Sequence, residues 1–125
     1  MSQKDCIEKR RHPRIEHGVP VKICAPCADL VTETKNISRS GVYCRVSKYL
    51  EPMTKLKVTL MLPVKKEGRL HTKKIICSGV VVRVENIPFE DAFNVAVFFN
   101  EIKPGDGRAL ADHVQGVLVE KSRAN

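Results

Sequence analysis

The chain has 125 residues, which fits one domain with a single core and little more. Apolar residues make up 42%, too many for a disordered chain, and no run approaches the ~18 apolar residues of a membrane-spanning helix. Lysine and arginine total 22 against 14 aspartate and glutamate, so the formal charge is +8 and the expected partner is anionic: nucleic acid, nucleotide, lipid headgroup or acidic protein.

The first residues are polar and charged with no apolar stretch, so no secretory leader is expected. Five cysteines in such a chain read as reduced thiols of a cytoplasmic protein, not as a disulfide framework. Residues 1–18 carry little apolar content and no period, and are read as a flexible basic arm. His12-Pro13 within it interrupts any helix.

From Val19 onward the pattern becomes short alternating runs, read as a barrel over residues 19–103. Val19, Val21 and Ile23 share one face of a first strand. Cys24-Ala25-Pro26-Cys27 is a turn, because Pro26 breaks the run. Asp29 to Ser38 is a second strand, Arg39-Ser40-Gly41 a turn, and Val42, Cys44 and Val46 alternate on a third. Leu56, Val58, Leu60 and Leu62 alternate with Lys55, Lys57 and Thr59, the clearest strand of the chain. Lys66-Glu67-Gly68-Arg69 reads as a hairpin turn. The long run from Leu70 to Val84 follows, with Gly79 marking a bulge or barrel corner. Phe93, Val95, Val97 and Phe99 make a sixth strand.

The tail changes period. Leu110, Val114, Val117 and Leu118 recur at helical spacing, so residues 104–120 are read as an amphipathic helix covering an open end. Asp106 is the expected N-cap, and Gly116 weakens the last turns by about 1 kcal/mol. Six antiparallel strands and a terminal helix define a mainly β fold, a barrel or a sandwich.

Two motifs carry chemistry. Arg10-Arg11-His12-Pro13-Arg14 places three guanidinium groups on the arm. Guanidinium stacks on aromatic planes, grips phosphate bidentately and pairs with the O6/N7 edge of guanine. Asn36-Ile37-Ser38-Arg39-Ser40-Gly41 puts Asn36 and Ser38 on one strand face by period two, offering amide and hydroxyl to a base edge. Gly41 allows a sharp turn or the close approach of a ligand. Exactly one stretch of 21 residues separates Arg14 from Asn36. Together the motifs suit a ligand that is planar and anionic.

This order and spacing resembles the PilZ family, whose domains carry Arg-x-x-x-Arg followed by Asp/Asn-x-Ser-x-x-Gly. The likeness runs over about residues 8–119 and includes Leu56 to Pro63, Gly79 to Arg83 and the late Val95 to Phe99 strand. It implies a six-stranded antiparallel β-barrel with a C-terminal α-helix, and binding of the bacterial second messenger cyclic di-GMP (c-di-GMP). It implies Arg10 and Arg14 on guanine and phosphate, with Arg11 assisting, Asn36 and Ser38 on guanine, and Gly41 shaping the turn. Lys9, Arg39 and Ser40 are auxiliary candidates, Lys9 for a second, stacked ligand. Asn36 stands where Asp is commoner, and Asn94 where many relatives have Gly before the last strand core. The expected output is a change in the arm that an unidentified protein reads in trans, in motility, attachment or exopolysaccharide control. A monomer or a homodimer would serve.

Other constellations are weaker. Cys24-x-x-Cys27 has metal-ligand spacing without a second pair, so a plain turn is expected. Cys44 and Cys77 read as small core packers. Neither paired carboxylates nor a nucleophile with its base stands out, so no enzyme and no cofactor are expected. The basic stretch Lys65-Lys66-Glu67-Gly68-Arg69 with Lys73 and Lys74 leaves a nucleic-acid-binding barrel as one alternative, and a ligand-free protein adaptor is the other. Scarce aromatics, 5%, argue against a single-strand stacking platform.

Overall fold

The computed structural model describes residues 18–124, without the side chains at 65, 66 and 118–124. Of the arm expected over residues 1–18, only Gly18 is described, so Lys9, Arg10, Arg11 and Arg14 lie outside the described residues.

Six strands follow in order: β1 (Pro20–Cys24), β2 (Asp29–Ile37), β3 (Gly41–Val46), β4 (Lys55–Lys66), β5 (Arg69–Asn86) and β6 (Phe93–Glu101). All pair antiparallel, and they close in the order β1-β2-β3-β6-β5-β4. The helix α1 (Pro104–Ala124) follows. The barrel expected from the resemblance is therefore present, and the sandwich is not.

Alternation places the core. Val21 and Ile23, Val42 and Cys44, Leu56 to Leu62 at even positions, and Val95, Val97 and Phe99 are all buried. Each directly opposed inner pair, such as Val58 with Cys77 and Leu60 with Ile75, packs Cβ against Cβ across the ladder. Closing the sheet removes the free edges that an open sheet would expose.

The turns follow residue chemistry. Between β1 and β2, Ala25 and Ala28 exchange N–H···O bonds of 2.9 and 3.3 Å around Pro26 and Cys27. Between β4 and β5, Glu67 (φ 53°) and Gly68 (φ 76°) both take left-handed backbone, the geometry that matches the twist of a tight hairpin. The register shifts at Ser78/Gly79, as a bulge at Gly79 requires, and again at Val81/Arg83.

One capping expectation is corrected. Gly107 N–H bonds the Lys103 carbonyl at 2.9 Å, so Lys103 is the N-cap and Pro104 the first helical residue. Asp106 is the third residue of the first turn instead. There it still favours the positive end of the helix and pairs with Lys73 at 3.7 Å. The helix begins at Pro104, the expected first residue, whose fixed φ and missing N–H suit the first helical position, so the cap lies three residues before Asp106. The helix also runs past the expected end at 120, through Gly116 to Ala124. Leu110 and Val114 are buried within the barrel's core cluster.

Cys44 and Cys77 are buried core residues, as expected. Burial pushes the Cys44 thiol up to about 12. Burial, with the charge of Asp106, pushes Cys77 up to about 11. Both values lie above the ordinary thiol value, so the stability they carry is whole below about pH 9 and is lost as pH rises through them. Urea midpoints are expected to fall as pH rises beyond about 9. Mass spectrometry after iodoacetamide treatment of the folded protein is expected to show alkylation at exposed Cys27 and none at Cys44 or Cys77.

Candidate functional site

A bulge in β2 decides where Asn36 points. Thr34 opposes Cys44 and Asn36 opposes Tyr43, so Lys35 is the extra residue. Before it, Leu30 and Thr34 face the interior; after it, Ile37 does, fully buried. Unbroken alternation from Leu30 would have turned Asn36 into the core. The bulge re-aims it outward.

The turn beyond is held by its own serines. Ser38 N–H bonds the Gly41 carbonyl at 2.9 Å, and Phe99 N–H bonds the Ser40 carbonyl at 2.8 Å. Ser38 Oγ accepts from Ser40 N–H at 3.1 Å and lies 3.1 Å from Ser40 Oγ. This is the local side-chain-to-backbone bonding that serine offers a turn. Ser38 is only 3% exposed, so its hydroxyl first fixes the turn. Ser40, half-buried, presents the more open hydroxyl.

Gly41 closes this turn with its carbonyl and opens β3, and its φ is not in the left-handed region. Its requirement is space: a Cβ there would overlap the Val97 carbonyl oxygen of β6.

Asn36, Ser38, Ser40 and Gly41 line one shallow cleft of about 150 Å³, completed by Tyr43 and Val42 on β3, Val82 on β5, and Ala96, Val97 and Phe98 on β6. The Asn36 amide has no hydrogen-bond partner among the described residues. Among the described residues, its donors and acceptor are therefore open toward the cleft. Arg39 is exposed on the turn and is not part of the lining.

Tyr43, Val82, Ala96 and Phe98 escaped the reading of the sequence. Tyr43 hydroxyl donates to Glu85 Oε1 at 2.5 Å. Burial and then Glu85 raise its pKa, so it stays a protonated donor. The Arg83 guanidinium stands 5.8 Å from the Tyr43 ring centroid and 3.4 Å from Glu85. Phe98 is 48% and Val82 53% exposed, apolar side chains on the outer wall of the barrel. Their signal was present: Val80-Val81-Val82 and Phe98-Phe99 are apolar at both parities, one more apolar position per strand than a half-buried strand needs. Asn94, expected just ahead of the last strand's core, lies inside β6 and accepts a 3.2 Å bond from Lys35 Nζ.

Cys24 ends β1 and Cys27 sits in the β1–β2 turn, and among the described residues no group of His, Cys, Asp and Glu could hold a metal ion.

The chain belongs to the PilZ domain family, whose model matches residues 8–116. The fold is similar to that of Bacillus subtilis MotI/DgrA, an inhibitor of motility, with TM-score 0.79 and 24% identity over 90% of this chain and 52% of that one. It is similar to apo MrkH of K. pneumonia, with TM-score 0.72 and 20% identity over 93% and 53%. It is also similar to the PilZ domain of Escherichia coli YcgR, solved with c-di-GMP, with TM-score 0.61 and 11% identity over 92% and 98%. The chain thus spans about half the length of MotI and MrkH. No curated protein sequence matches it.

Gly41→Ala is expected to destabilise the fold by about 1–3 kcal/mol in urea unfolding, because the β3–β6 backbone must part. Ser38→Ala is expected to cost about 1 kcal/mol, from the lost acceptor of Ser40 N–H.

Proposed function

We propose that this chain is a c-di-GMP receptor that binds the ligand between the cleft and the arginine arm. One observation carries the reading: the Asn36 amide, without a hydrogen-bond partner among the described residues, stands beside Ser40 on the wall next to which the arm joins the barrel. Val19 N–H bonds Thr34 Oγ1 at 3.0 Å, and Thr34 N–H returns a 3.0 Å bond to the Val19 carbonyl. Thr34 is two residues from Asn36. Arg14 precedes Val19 by five residues, so chain length alone keeps its Cα within ~18 Å of that anchor. Arg10 and Arg14 are therefore tethered to the cleft at high effective concentration.

The chemistry fits a guanine dinucleotide. A cleft of about 150 Å³ accommodates one ring system, not both bases and the phosphates. Pockets that enclose a whole small ligand begin near ~300 Å³. A second element must close over the rest, and Arg10, Arg11 and Arg14 supply phosphate forks and planar stacking surfaces. Asn36 and Ser40 address the base edge, and Tyr43, Val82 and Phe98 give its ring an apolar wall. Neutral Asn36 attracts guanine N–H donors less than a carboxylate would, which lowers affinity relative to an Asp.

Binding would draw the arm against β2 and β3 and so rewrite the surface there, a switch that a second protein can read. The family's membership favours this receptor role over an enzyme. The site's activity is capture and conformational output in the bacterial cytoplasm.

Isothermal titration calorimetry with c-di-GMP tests the reading on the parent chain, Arg14→Ala and Asn36→Ala. Saturable binding is expected in the parent, loss of it in Arg14→Ala, and about tenfold weakening in Asn36→Ala from one lost base-edge bond. Stoichiometry reports whether Lys9 helps to hold a second, stacked ligand. A flat titration of folded parent protein would overturn the proposal.

A further inference from the structure

The outer wall formed by β4 and β5 is independent of the cleft and has its own chemistry. Pairing Leu60 with Ile75 on the inside sets the alternate residues outward. On β4 these include Lys55, Lys57 and Met61; on β5 they include Leu70, Lys74 and Ile76. Met61 is 39% exposed, Ile76 42% and Leu70 72%. The three lysines are exposed and have no ion-pair partner among the described residues. Not one outward position from Lys55 to Pro63, or from Leu70 to Val80, carries a carboxylate. Lys22, on neighbouring β1, extends the strip and pairs only loosely with Asp29 at 4.0 Å.

The result is a two-strand face about 25 Å long that mixes aliphatic side chains with unopposed ammonium groups. Helix α1 does not cover it, since its Asp106 pairs with Lys73, which shares the inner side with Leu62. Past Leu60 the β4 strand leaves β1, and its partnership with β5 alone continues to the hairpin tip. The face therefore projects beyond the closed ring.

We propose that this face docks on an anionic lipid surface. Its charge requires a negative partner. Nucleic acid would use the lysines but gains little from Leu70, Met61 and Ile76. A protein partner is disfavoured by the residue types, because protein interfaces concentrate Tyr, Trp and Arg and are poor in Lys. Aliphatic side chains that enter the headgroup boundary while lysines neutralise phosphates suit a bilayer. No described helix is long and apolar enough to cross a membrane, so the association would be peripheral.

Vesicle co-sedimentation tests this at low salt, with phosphatidylcholine alone and with phosphatidylcholine containing about a quarter phosphatidylglycerol. Binding is expected only to the anionic vesicles. Lys57→Gln with Lys74→Gln is expected to lower partitioning about 30-fold, from ~1 kcal/mol per lysine. Met61→Thr with Ile76→Thr leaves the charge unchanged and is expected to lower it several-fold. The charge-matched control Lys103→Gln with Arg108→Gln, on exposed positions around α1, is expected to keep most of it. Circular dichroism checks that each variant is folded. The proposal is overturned if the parent chain does not partition, or if the control loses as much as the Lys57/Lys74 pair. Tighter binding to a DNA duplex that is lost in the Lys57/Lys74 pair would also overturn it and assign the face to nucleic acid.

Discussion

At Gly41 and Gly79, on the two strands that flank Val97, there is no room for a side chain. A Cβ on Gly41 would overlap the Val97 carbonyl oxygen, and one on Gly79 would lie 2.7 Å from Val97 Cγ1. β6 is thus clasped between β3 and β5 at less than ordinary side-chain spacing. That contact sets where β3 begins, and the Ser38–Gly41 turn is fixed by the same clasp. The Ser40 carbonyl is bonded by Phe99 and the Gly41 carbonyl by Ser38. The position of the cleft follows from backbone approach before any polar side chain contributes.

The β2 bulge supplies the second constraint. It exchanges one unpaired residue, Lys35, for a reversal of side-chain direction that leaves Ile37 inside and Asn36 outside. The site is therefore built from strand geometry on one side and a serine-bonded turn on the other. Neither is a mobile loop, so the polar groups at the cleft are arranged before any ligand arrives.

Much of this was readable in the sequence because it depends on short-range pattern. Leu56 to Leu62 declared an inward strand face, Glu67-Gly68 declared a tight hairpin, and Gly79 declared a bulge. The two motifs behind the proposed site were visible as residue types at fixed spacing. What escaped reading depends on partners far along the chain. The role of Gly41 is set by Val97, 56 residues away. The outward aim of Asn36 needs the register of β2 on β3. Tyr43, Ala96 and Phe98 meet only because β3 pairs with β6. The helix start at residue 104 was legible, but its cap was not, because Lys103 caps through its backbone carbonyl and carries no capping side chain.

Ring closure has a kinetic consequence. β1 pairs with β4 through Val21 and Leu60, and β3 pairs with β6 through Gly41 and Phe98, so the contacts that complete the barrel join distant segments. Such topology places the chain among slowly folding domains, in the range of milliseconds to seconds. During synthesis, β3 has no second neighbour until β6 emerges, and the β4–β5 hairpin is the longest piece that can form first. A ribosome-bound chain would expose the inward row of that hairpin, Leu56 to Leu62 and Ile75 to Val81, until the last strand is made. The interval before closure, more than the finished fold, is where this molecule is open to misassociation.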